Sequence, residues 1–337
     1  MTDPRTISVI GAGSWGSALA QLLATRGLPV TIWAHEPAQA GEINSHHTNQ
    51  LFLPGVTLAG NIRATAEMTA AAAADLIVVV PPSQFLGSVA SQLAASGVRP
   101  RVPLVCCTKG LERHTGRLMT QVLGEFFPGN PVGALSGPNH AEEVARGTPA
   151  AAVLAAEDHD LAAGLQHFFN TPTFRTYSSD DVPGVELGGA LKNIYAIAAG
   201  LSDGLGFGDN AKSALVTRSL AEMIRLGTAL GGQRETFYGL SGMGDLIVTC
   251  FSVHGRNRAL GERLGRGESL EDIQRSMVMV AEGVPTCRSA LEEARKRELE
   301  MPLLETVHAV LFEGLSPRDA FRQLLARDPK REHEPEP

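Results

Sequence analysis

Cysteine is scarce. The chain has four in 337 residues, at Cys106, Cys107, Cys250 and Cys287, and no pair shows the C-x-x-C spacing of a zinc site or a disulfide framework. No metal centre is therefore expected. Long apolar runs are missing too, since no uncharged stretch reaches the roughly 18 residues that a membrane span needs. The opening MTDPRTISVIGAG lacks the basic flank and apolar core of a signal peptide. Positive charge is not in excess. A formal net charge of −7 speaks against general nucleic-acid binding, while leaving room for a local basic pocket. Repeats and low-complexity segments are absent as well. What remains is a chain long enough for two domains and a substantial core, with the composition of a soluble globular protein. A reduced cytoplasmic enzyme or binding protein is the expectation.

The first motif follows a short apolar strand, Ile7 to Ile10. GAGSWG places glycines at 11, 13 and 16, and Ala18, Leu19, Leu22 and Leu23 then give a helical stripe that ends near Gly27, a candidate C-cap. This is G-x-G-x-x-G between a strand and a helix. Gly11 makes the turn, Gly13 lets a pyrophosphate approach the backbone, and Gly16 lets helix and strand pack closely. The pyrophosphate then meets free N–H groups and the positive end of a helix dipole. A second strand, Val30 to Ala34, ends in His35 and Glu36. A carboxylate here would bind a ribose and favour NAD over NADP. His35 facing the adenosine and Glu36 facing solvent is the alternative, so cofactor choice stays open.

Further strands alternate with helices at Asp75–Val80, Val102–Cys107 and Val132–Leu135. Ala150–Leu154 and Phe174–Tyr177 are candidates for the sheet edge. Ligands of open α/β sheets bind beyond the carboxyl ends of the strands, where Lys109 and the loop SGPNHAEEVA are delivered. From about residue 182 strand signals vanish, and helical periodicity takes over at 182–201, 210–230, 244–250, 256–265, 270–276, 281–297, 303–313 and 317–326. The reading is a Rossmann-type α/β domain with a mostly parallel sheet (1–181), an all-α domain (182–327) and a disordered tail (328–337).

At the junction lies VPGVELGGALKNIYAIAAGLSDG. It is apolar on nearly every side, as buried helices are, yet it contains Lys192. Burial would lower the pKa of that lysine toward the range useful for proton transfer. The bland alternative is an ammonium that snorkels to water. The glycine-rich loop that follows, with Gly204, Gly206 and Gly208 before a helix capped at Asp209–Asn210, would let another segment or a ligand approach closely. Farther on, Asp245 follows a Gly-Met-Gly turn, either as a helix cap or as the partner of a catalytic lysine. His254-Gly255-Arg256-Asn257 opens another helix. A guanidinium beside free N–H groups makes a phosphate site. His254 itself has no evident partner and reads as solvent-facing.

In this order, GAGSWGSALA, NQLFLPGV, CTKGLE, SGPNHAEEVA, ELGGALKNIYAIAAGLSDGLGFGDNAKSAL, GMGDLIVTC, GRNR and VAEGVPT resemble the bacterial NAD(P)-dependent glycerol-3-phosphate dehydrogenases over nearly the whole chain. The resemblance implies a fold like that of 6-phosphogluconate dehydrogenase, with NAD or NADP as a cofactor that is not tightly held. It also implies reversible conversion of dihydroxyacetone phosphate to sn-glycerol 3-phosphate for phospholipid synthesis, and a possible homodimer. By the same resemblance Lys192 is the general acid/base and Asp245 its partner. Lys109, Gly137, Asn139, Gly255, Arg256 and Asn257 join them around the substrate. Ser14, Trp15, His35, Ala141, Val280 and Glu282 surround the cofactor with Lys109 and Arg256, beside Gly11, Gly13, Gly16 and Glu36. Asn139 and Gly255 depart from the family pattern, which has serine or threonine at the first and serine at the second. Two rival readings stand beside this one: a hydroxyacid dehydrogenase of the same plan, which has less use for Arg256, and a non-catalytic dinucleotide sensor, which needs no buried lysine.

Overall fold

Ile7, Ser8, Val9 and Ile10 are all buried, a continuous run that suits a strand covered on both faces. They form β1 at the middle of an eight-stranded sheet in a computed structural model that describes residues 4–329 and 331–332. The remaining strands are β2 (Val30–Trp33), β3 (Ile62–Thr65), β4 (Leu76–Val79), β5 (Leu104–Cys106), β6 (Val132–Ser136), β7 (Ala150–Ala155) and β8 (Phe174–Ser179). Their spatial order is β3-β2-β1-β4-β5-β6-β7-β8. Every pairing is parallel except β6 with β7. Val9 sits between Ile32 and Val78, so the apolar rows of three strands are in register.

Seven of these strands correspond to sequence expectations, with ends shifted by a residue or two. The edge strand β3 was not expected. Only Ile62 and Ala64 point into the core while Arg63 is exposed, too little alternation to separate a four-residue edge strand from a loop. The first helix, Ser14–Ala24, is C-capped at Thr25, ahead of Gly27, which follows in the left-handed region at φ +77°.

The lysine helix, Val182–Gly204, organises the other part of the molecule. Every residue from Gly184 to Ser202 is buried. Each fully buried Leu or Ile there contributes about 1.5–3 kcal/mol. Asp181 caps its start by accepting from Gly184 N at 2.9 Å, and its other oxygen accepts from Gln233 N at 2.9 Å. Nothing bulky fits between this helix and the Arg256 helix (Arg256–Gly265). A Cβ on Gly200 would lie 2.0 Å from Arg258 O, and one on Gly261 would lie 2.1 Å from Ile197 O. The same holds at Gly204, whose Cβ would meet Glu262 O at 2.2 Å. So the close approach at that glycine is to another helix and not to a ligand. The next helix, Asp209–Ala229, starts from Gly208 without a side-chain cap, which corrects the cap expected at Asp209–Asn210.

Two buried carboxylates tie helix ends to this core. Glu186 on the lysine helix accepts from Thr120 N at 3.1 Å and from the Thr120 hydroxyl, at the start of the helix Met119–Phe126. Glu222 accepts from Leu303 N at 2.7 Å and Leu304 N at 3.1 Å, at the start of Pro302–Phe312, and from the Tyr195 hydroxyl. Burial pushes both carboxyls up to about 7, against the pull of those donors. The sequence reading missed the short helix Arg234–Tyr238 and the π-helical turn Leu240–Gly244 that precedes Asp245. Residues 330 and 333–337 of the expected tail lie outside the described residues.

Candidate active site

A cleft of about 920 Å³ runs from the glycine turn after β1 to the lysine helix. At one end Gly11 adopts φ +117°, which disfavours any side chain. A Cβ on Gly16 would lie 1.8 Å from Gly11 O, whereas a Cβ on Gly13 would meet nothing within 4 Å. Gly16 is therefore needed for helix–turn packing, and Gly13 faces open space where a pyrophosphate fits. Ser14 donates to Phe52 O at 2.5 Å. The buried indole nitrogen of Trp15 has no hydrogen-bond partner among the described residues. These features fit a dinucleotide. His35 and Glu36 line the same end, and their side chains, 79% and 73% exposed, stand 3.8 Å apart.

At the other end the fold brings three ionic groups together. Asp245 begins the helix Asp245–Phe251, but its side chain does not cap it. Instead one carboxylate oxygen accepts from Lys109 Nζ at 2.6 Å and the other from Lys192 Nζ. Lys192 also donates to Thr249 Oγ1 at 2.7 Å, and Lys109 to Gly137 O at 3.0 Å. Lys192 does not snorkel, being 7% exposed. Burial lowers its pKa to about 7, the charge of Lys109 adds to that lowering, and Asp245 opposes it.

Of the expected residues, Lys109, Asn139, Ala141, Lys192, Gly255, Arg256, Asn257, Val280 and Glu282 line the cleft with the glycine turn. Gly137 and Asp245 do not. They lie behind Lys109 and Lys192, which reach them from the cleft wall. Asn139 donates its amide to Ala151 O at 2.8 Å, and its buried oxygen has no partner among the described residues. Gly255 N-caps the Arg256 helix, and a Cβ there would meet Thr249 O at 3.0 Å, so serine would crowd this turn. Arg256 donates to Val280 O at 3.2 Å while its side chain stays exposed to the cleft. Partial desolvation lowers its pKa from the usual value, opposed by Glu282 and Glu142. Asn257 is committed at both ends of its carboxamide, to Asn193 Oδ1 and from Gly283 N, each at 2.9 Å.

Several groups were not singled out by the sequence. Ser83, at the end of β4, donates its N–H at 3.0 Å and its hydroxyl at 2.5 Å to Glu282. Thr249 and Asn193 hold Lys192 and Asn257. Spacing could have found Thr249, four residues past Asp245 on one helix face; the others are long-range contacts with no local signal. His140 belongs to the same wall. Among the described residues no group of three or more His, Cys, Asp or Glu could hold a metal ion.

Residues 6–162 match the family model described as NAD-dependent glycerol-3-phosphate dehydrogenase N-terminus, and residues 181–322 match the C-terminus of the same family. A glycerol-3-phosphate dehydrogenase [NAD(P)+] of Geobacter metallireducens is 49% identical over 97% of this chain and 98% of its own length. One from Salinibacter ruber is 47% identical, covering 97% of each. The crystal structure of glycerol-3-phosphate dehydrogenase from Coxiella burnetii superposes with a TM-score of 0.92 at 36% identity, covering 96% of this chain and 99% of that one. A D-mandelate dehydrogenase, at 12% identity and a TM-score of 0.64, shares the fold alone. With both of its family models matched in order across one continuous cleft, the chain belongs to the NAD-dependent glycerol-3-phosphate dehydrogenases.

Proposed function

We propose that this chain reversibly reduces dihydroxyacetone phosphate to sn-glycerol 3-phosphate with NADH or NADPH, in supply of phospholipid synthesis; its relatives are named glycerol-3-phosphate dehydrogenase [NAD(P)+]. The observation that carries the reading is Lys192, buried at the cleft wall and held by Asp245. When bound, the dinucleotide supplies or takes up the hydride. The glycine turn and the start of the helix Ser14–Ala24 hold its pyrophosphate, and Ser14, Trp15, His35, Ala141, Val280 and Glu282 shape the rest of that groove. Lys192 as ammonium donates to the substrate's carbonyl oxygen and gives it a proton, and as amine it takes that proton back in the reverse direction. Asp245 fixes where Nζ points. Acid–base help of this kind is worth roughly 10²–10⁴-fold.

Arg256 and the N–H groups at the start of its helix receive the phosphate, and Lys109 and Asn139 border the rest of the substrate. Binding energy at the phosphate then positions the reacting carbon against Lys192. In this reading residues 1–181 bind the dinucleotide and residues 182–327 bring the acid/base and the phosphate site. No helix among the described residues is long and apolar enough to cross a membrane. A cytoplasmic homodimer is part of the proposal, and exposed Ile247, Phe251 and Val253 support a pairing face that sedimentation would test. Oxidation of NADH and NADPH with dihydroxyacetone phosphate tests the activity directly. Turnover with a 2-oxo acid but not with the triose phosphate would overturn it.

A further inference from the structure

The loop from β6 into the helix Ala141–Ala145 carries polar atoms that the fold leaves open. Asn139 Oδ1 and His140 Nε2 are buried, and neither has a hydrogen-bond partner among the described residues. A buried polar group left unsatisfied is costly, so an orphan at a cleft wall points to a ligand that completes it. His140 also reaches across the cleft. Its ring meets that of His254 edge to face, with centroids 6.2 Å apart and planes at 65°. His140 comes from the sheet part and His254 from the helical part, and both line the cleft. His254 immediately precedes Gly255, the N-cap of the Arg256 helix. His140 lies within electrostatic reach of Lys192 and Asp245. A short ligand that runs from Lys192 to the start of the Arg256 helix therefore passes this pair of rings.

We propose that His140 and His254 act together as a clamp on the phosphate of the substrate, adding imidazole N–H donors to those of Arg256 and its helix. The proposal rests on placing the phosphate at that helix. The groups facing His140 are Lys192 on the lysine helix, Asp245 on its own helix, Glu142 and Glu143 one turn on, and His254 opposite. Burial and the charge of Lys192 lower the His140 pKa, and the three carboxylates oppose them. Before substrate arrives, His140 thus favours its neutral form more than an ordinary histidine does. A phosphate dianion favours its charged form, so substrate binding takes up a proton.

The test uses the full chain with His140→Phe, His254→Phe and the double variant, which keep the aromatic contact and remove the nitrogens. His140→Gln returns a neutral donor. Each Phe variant is expected to raise KM for dihydroxyacetone phosphate about tenfold or more. The NADH KM and kcat should stay within roughly twofold, and Gln should recover most of the loss. Between about pH 5 and 8, the wild-type KM should climb with pH relative to the His140→Phe variant, because His140 loses its proton. An unmoved triose-phosphate KM, or an NADH KM that rises in step, overturns the clamp. Arg256→Lys is measured in parallel. If it too leaves that KM unmoved, the phosphate placement has failed; if it alone moves it, the histidine pair has failed. NADH binding followed by fluorescence reports folding, and exposed His254 carries the test by itself should the His140 variants not fold.

Discussion

Lys109 Nζ donates to Asp245 Oδ2 across 2.6 Å, so the carboxylate that holds Lys192 is itself held from the sheet. The contact crosses from the loop after β5 to the start of the helix Asp245–Phe251. It also sets two opposing influences on Lys192. Asp245 favours the ammonium, and the like charge of Lys109 disfavours it.

The two neighbours should therefore move the pH profile in opposite directions. In the proposed mechanism reduction needs Lys192 charged, so its rate should fall as pH rises through about 7. Lys109→Met removes the like charge, raises the Lys192 pKa and shifts the falling limb to higher pH. Asp245→Asn removes the attraction, shifts the limb lower and leaves Nζ less well oriented, with turnover down about 10²-fold or more. The log kcat–pH curves of the two variants check this. Shifts in the same direction would break the account.

Gly16→Ala tests the glycine turn. A methyl group there lies 1.8 Å from Gly11 O, so the turn must open. NADH affinity should drop at least tenfold, while Gly13→Ala, whose methyl meets only open space in the protein, should fold normally and lose affinity only through a clash with the bound cofactor. Thermal melts with and without NADH separate the two cases.

Glu36 is the residue to test for cofactor choice. It lines the cleft beyond β2, and its carboxylate stands 3.8 Å from His35 Nε2. If its carboxylate meets the ribose, Glu36→Ser should raise the NADPH/NADH ratio of kcat/KM several-fold, because a negative charge opposite a 2′-phosphate is lost. An unchanged ratio would place Glu36 in solvent.

Arg256 is read as the phosphate anchor. Arg256→Lys keeps the charge but loses the planar fork, so KM for dihydroxyacetone phosphate should rise strongly while weak activity on unphosphorylated dihydroxyacetone hardly changes. Equal losses on both substrates at saturating cofactor would count against that role. NADH affinity measured alongside keeps cofactor effects separate.

Much of this was legible in the chain because local patterns carried it. The glycine spacing dictates the turn, and an apolar helix with one lysine can bury that lysine only beside a counter-charge. The residues alone left Asp245 as either a helix cap or a lysine's partner, the family resemblance made it the partner of Lys192, and neither pointed to Lys109 as the second holder of the same carboxylate. The resemblance gave Asn257 as a substrate contact; it lines the cleft, and nothing in the sequence showed that its carboxamide is taken up by Asn193 and Gly283. Such contacts depend on how three helices meet, and no periodicity encodes that. The strand β3 escaped for a different reason. At a sheet edge, Ile62 and Ala64 alone mark the buried face.

The central claim is that Lys192 transfers the proton. It is tested most directly by comparing Lys192→Ala with the wild type in the oxidation of NAD(P)H by dihydroxyacetone phosphate across pH. The variant should bind NADH normally, lose at least about 10²-fold in kcat, and lose the decline in reduction rate above about pH 7 that the wild-type ammonium imposes. Near-normal turnover with an unchanged pH profile would show that Lys192 is a structural ion and that the proton comes from elsewhere.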